Sequence, residues 1–66
     1  MKIEEVKEEV ARIAAMDDDE GQHSAEDDLY ERFVRYCAEG HNQFHIGKLA
    51  KEILKTKDLK FARWCA

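Results

Sequence analysis

The sequence predicts an all-α fold, a small three-helix bundle that ends in a short fourth helix or turn. Three observations predict it. Apolar residues recur at steps of three and four in three separate segments. No proline interrupts those segments. No stretch shows the period-two alternation of a strand, and no internal repeat appears. Sixty-six residues make one domain, 1–66. A chain of this length buries only about 60% of its unfolded surface, so its stability is marginal.

The first helix spans about residues 2–16. Ile3, Val6, Val10 and Ile13 share one face, and Glu4 and Glu5 fall in the first turn, where the helix dipole favours acids. Glu8 and Arg12 are spaced for an ion pair. The apolar stripe is as narrow as a coiled-coil seam and under two heptads long. It therefore needs other helices or a second chain to persist.

The second helix spans about 25–39. Ser24 is placed to cap it, with Asp27 three residues later as the reciprocal member of a capping box. Leu29, Tyr30, Phe33, Val34 and Cys37 make its apolar face. Asp28 with Arg32 and Glu31 with Arg35 stand four apart as ion pairs. Gly40 stands where a left-handed residue would end the helix.

The third helix spans about 43–55 and is capped by Asn42. Ile46, Leu49, Ala50, Ile53 and Leu54 form its stripe. Gly47 within it costs about 1 kcal/mol relative to alanine, a cost consistent with the close approach of another helix. Asp58 is placed to cap a short last helix over 59–65, holding Leu59, Phe61, Ala62, Trp64 and Cys65. So short a helix persists only when packed. Leu29, Phe33, Ile53 and Trp64 are the expected apolar anchors.

Charge is unevenly placed. The net charge is −4, but residues 1–40 hold 5 Lys/Arg against 13 Asp/Glu, and residues 41–66 hold 6 against 2. The two halves thus carry opposite sign. No apolar run approaches the length of a membrane span, and the opening MKIEEVKEEV is acidic and amphipathic, unlike a secretory signal. Together these point to a cytoplasmic protein without membrane contact. In that compartment Cys37 and Cys65 stay reduced, as small apolar groups.

The densest candidate site is DDDEGQHSAEDD, Asp17–Asp28, in which seven of twelve residues are carboxylates. An EF-hand loop counted from Asp17 would put Gly21 at position five and Gln22 at six, so the calcium register fails. His23 has helical spacing to Glu26 and Asp27, but one histidine among loose acids makes a poor metal site. The stretch reads as a joint: Asp17 to Gln22 connect, Ser24 caps, and Glu26 to Asp28 meet the dipole.

Cys37, His41 and His45 are spaced by four and would line one face of an unbroken helix, a zinc-like set with Cys65 as a fourth ligand. Gly40 and Asn42 argue that no helix runs through, which makes His41 and His45 exposed loop or cap residues. Neither a metal nor a cofactor is expected.

EEVKE at Glu4–Glu8 matches the first half of the carboxylate motif of all-helical nucleotide pyrophosphatases. Those enzymes need a later Glu-x-x-Asp to hold magnesium, and this sequence has none. No Gly-rich phosphate loop or activated nucleophile is present, so no catalytic residue is assigned and an enzyme is not expected.

At the basic end, Lys48, Lys51, Lys55, Lys57, Lys60 and Arg63 lie among Phe44, Phe61 and Trp64. Bases interleaved with aromatics can bind nucleic acid. A helix-turn-helix register fails, because the turn lacks its glycine near Leu54 and Lys60 stands where an apolar residue is wanted. The other reading is that this face pairs with the acidic front half, in the same chain or in a partner copy.

Two stretches, His23-Ser24-x-Glu26-Asp27-Asp28-Leu29 and Thr56-x-Asp58-Leu59-x-Phe61-x-Arg63-Trp64-Cys65-Ala66, resemble short uncharacterised proteins of bacterial, prophage and phage genomes. The resemblance covers about a third of the chain and carries no activity. It implies an intracellular bacterial or viral setting and a functional C-terminal end at Trp64, docked across His23 and Ser24. The combined expectation is a small helical protein–protein interaction module, self-association included. The alternative is nucleic-acid binding through Lys48–Trp64.

Overall fold

A computed structural model describes residues 1–61. Helix α1 runs Ile3–Ala15, α2 Asp19–Ala38 and α3 Gln43–Leu54, and α3 continues into a 3-10 turn over Lys55–Asp58. The three helices pack against one another, α1 also touches the 3-10 turn, and no strand occurs among the described residues. This is the small helical bundle that the periodicity predicts.

The core is formed by Val6, Val10 and Ile13 of α1, Leu29 of α2, and Leu49 and Ile53 of α3. Met1, Ile3, Ala25, Tyr30, Phe33, Tyr36 and Leu59 close over it, each partly buried. Phe33 is therefore a flank of the core, whereas Leu29, Ile13 and Leu49 are wholly enclosed.

Local chemistry sets each helix end. At the start of α1 the Glu5 carboxylate accepts from the Lys2 backbone N–H at 3.1 Å, satisfying one of the free donors of a helix start. Arg12 pairs with Glu9 at 2.8 Å and not with Glu8. Helix α2 starts at Asp19, six residues before the expected start at 25. Its cap is Asp18, whose Oδ2 accepts from the Gly21 N–H at 3.2 Å, with Asp19 and Glu20 in the favoured first turn. Ser24 and Asp27 consequently form no capping box; both are exposed residues within the helix. Sequence reasoning missed this because the inward positions of the first turns are polar. Gln22 and Glu26 continue the stripe of Leu29 and Phe33 at steps of four, three and four.

Gly40 has φ 77° and ends α2 as the left-handed residue predicted there, its N–H reaching the Cys37 carbonyl at 3.1 Å. Asn42 caps α3, its side-chain oxygen accepting from the N–H groups of Phe44 (2.9 Å) and His45 (3.2 Å). Other expectations need correcting. A Cβ placed on Gly47 would meet nothing within 4 Å, so no helix approaches closely there. Val34 and Leu54 point outward at 63% and 55% exposure, off the buried stripes of their helices. Leu59 to Phe61 are not helical; the rest of the expected last helix, with Arg63, Trp64 and Cys65, lies outside the described residues.

Candidate interaction surface

The residues singled out in the sequence fall into four places. At the α2–α3 corner, the ring of His41 stacks on Tyr36 with centroids 3.7 Å apart and planes 5° from parallel. His41 also donates to the Glu39 carboxylate at 3.0 Å. His45 meets Tyr36 edge-on at 5.9 Å and donates from Nε2 to the Met1 carbonyl at 2.7 Å. The two histidines are thus occupied in tying the corner and the chain start together. Cys37 is a half-buried free thiol, and Cys65 lies outside the described residues. No group of three or more His, Cys, Asp or Glu able to hold a metal occurs among the described residues.

The acidic stretch Asp17–Asp28 is helical from Asp19 onward and divides by face. Gln22, His23 and Glu26 turn inward, while Asp17 to Glu20, Ser24, Asp27 and Asp28 face solvent. Gln22 donates to the Ile13 carbonyl at 3.0 Å, supplying a partner at the C-terminal end of α1. His23, 9% exposed, sits 3.5 Å from the Asp27 carboxylate.

Between α2 and the 3-10 turn runs a polar seam. The Glu26 carboxylate, 1% exposed, meets the Lys57 ammonium at 3.4 Å, and that ammonium also lies 5.1 Å from the centre of the Tyr30 ring. The Tyr30 and Thr56 hydroxyls are hydrogen-bonded at 3.2 Å. A buried carboxylate requires such partners, and the seam fixes the 3-10 turn against α2. Beside α1 lies a cleft of about 50 Å³ lined by Met1, Glu5, Val6, Glu9, Leu29 and Arg32. Arg12's hydrogen bond to Glu9, together with the positive charges of Arg12 and Arg32, holds the Glu9 carboxyl below its ordinary 4.5, against the upward pull of partial burial.

The fourth place is the outer face of α3. Phe44, Lys48, Lys51 and Lys55 step by four, three and four along the side of the helix opposite Leu49 and Ile53, and all four are exposed. Phe44 is 75% exposed, and Leu54 flanks the row at 55%. Of the lysines proposed from sequence, Lys55 is held by Glu52 at 3.0 Å and Lys57 by Glu26. Among the described residues, Lys48, Lys51 and Lys60 carry no ion pair. Pairing within the chain therefore leaves most of this face open.

No helix of the described residues is long and apolar enough to cross a membrane. No protein-family model matches the chain, and no curated protein or solved structure is significantly similar to it.

Proposed function

We propose that this protein works inside the cell by binding another protein through the outer face of α3. The observation that carries the reading is the exposed row Phe44, Lys48, Lys51 and Lys55 with Leu54 at its side. A large aromatic that is three-quarters exposed at one end of the row, a second exposed apolar side chain near the other end, and two lysines without ion pairs between them give this face both apolar and charged contacts to offer a partner. The occupant that fits is an acidic protein surface offering an apolar contact for Phe44.

Nucleic-acid binding is the second reading, favoured by the same alternation of aromatic and lysine. Against it, two of the five lysines between Lys48 and Lys60 are already engaged, and the chain as a whole carries −4. Three free lysines neutralise few phosphates, which makes a weak binder with a shallow salt dependence.

Capture of partners from native lysate, with and without nuclease, by wild type and by a Phe44→Ser/Lys51→Glu variant separates the readings. A partner retained after nuclease and lost with the variant supports protein binding. Partners that vanish with nuclease, or that ignore the variant, count against it.

A further inference from the structure

We infer that the partner seated on α3 is a second copy of this chain, docked through the outer stripe of its α2; the inference rests on the protein-binding reading of α3. The α2 stripe is Glu20, Ser24, Asp27 and Glu31, all exposed and stepping by four, three and four. Phe44, Lys48, Lys51 and Lys55 repeat the same steps on α3. Each row is about 16 Å long at 1.5 Å per residue.

Laid antiparallel, the two rows put Lys55 opposite Glu20, Lys51 over the small Ser24, Lys48 opposite Asp27 and Phe44 beside Glu31. Helical side chains lean toward their own N-terminus. Phe44 therefore reaches past Glu31 toward Val34 of the other copy, whose side chain is 63% exposed on its own chain. The contact gains one apolar meeting and a run of opposite charges, while the reverse approach of two like rows is repelled.

The charge state of each row supports this occupant. Lys48 and Lys51 carry no ion pair, Glu20 carries none among the described residues, and Asp27 meets only the His23 ring at 3.5 Å. Glu31 is neutralised by Arg35 at 3.1 Å, so the end of the row opposite Phe44 is the less charged end. The patches are complementary and not identical, so each copy offers one of each.

The test is sedimentation equilibrium of the full chain over a range of concentrations at low and high salt. Wild type is expected to exceed its monomer mass of 7.7 kDa as concentration rises at low salt, and to return toward it at high salt. Lys48→Glu/Lys51→Glu and Glu20→Lys/Asp27→Lys should each weaken association about tenfold or more. Mixing the two variants should restore it, since each reversed row then meets its complement. All four positions are exposed, and circular dichroism melts verify that the variants fold. A strict monomer at every concentration and salt, or association indifferent to both reversals, overturns the second-copy inference. If the monomer instead shifts mixed-sequence DNA or RNA at low salt, and Lys48→Glu/Lys51→Glu abolishes the shift, the face belongs to nucleic acid and both readings fall. If a different acidic protein loses its binding with the same variant, only the second copy is excluded.

Discussion

The side-chain amide of Gln22 donates to the carbonyl oxygen of Ile13 across 3.0 Å, so a residue in the first turns of α2 closes the last turn of α1. Both partners are buried, and a buried group that loses its hydrogen bond bears the full desolvation cost. Gln22→Ala should therefore lower stability by about 1–3 kcal/mol, a large share of what so small a domain has. Gln22→Glu should cost more, because a carboxylate would face the carbonyl it cannot donate to. Urea denaturation of the two variants tests this; an unchanged midpoint for either would mean that the α1–α2 joint is not held by this bond.

Asp18 and Ser24 make a matched pair of tests for where α2 begins. Asp18→Ala removes the oxygen that accepts from Gly21 and should cost about 1 kcal/mol. Ser24→Ala lies on an exposed helical turn and should stabilise by up to about 0.5 kcal/mol through propensity alone. Thermal melts that reversed this order would put the cap back at Ser24.

That displaced start also marks how far the fold is legible in the sequence. The apolar stripes Val6–Ile13 and Leu49–Ile53, the Asn42 cap and the Gly40 terminator follow from spacing and side-chain chemistry, and each stands where it was read. The first turns of α2 did not, since Gln22, His23 and Glu26 occupy inward positions that a search for apolar periodicity skips. Gln22 and Glu26 are buried with partners from other elements, Ile13 and Lys57. Those partners are distant in sequence and leave no local signal. The basic row of α3 was legible as composition, but which lysines were already engaged depended on Glu52 and on the fold around Glu26.

The two glycines beyond α2's start should respond in opposite directions. Gly47→Ala places a methyl group in open space within a helix and should stabilise by about 1 kcal/mol. Gly40→Ala forces a Cβ into the left-handed region at φ 77° and should destabilise by about 1–2 kcal/mol. Chemical denaturation reads both; a destabilised Gly47→Ala would reveal a neighbour packed against that turn.

Glu9 couples stability to acid. Its carboxyl is held below 4.5 in the folded chain by Arg12 first and Arg32 as well, so the unfolded chain takes up the proton at higher pH than the folded one. The stabilisation is complete above 4.5 and is lost as pH falls through the lowered folded value. Glu9→Gln should therefore melt below wild type near neutral pH, with the gap closing as pH falls below 4.5 through the lowered folded value. A gap that stays constant across that range would contradict a role for the charge.

The claim on which the functional account turns is that the outer face of α3 seats a second copy of this chain. Backbone amide NMR spectra recorded through a dilution series at low salt test it most directly. The account predicts concentration-dependent shifts gathered at Phe44, Lys48, Lys51 and Lys55 and at Glu20, Ser24, Asp27, Glu31 and Val34, with the buried core positions Val6, Val10 and Ile13 of α1 unmoved. Spectra that do not change with concentration, or shifts that collect on α1 instead, would contradict it.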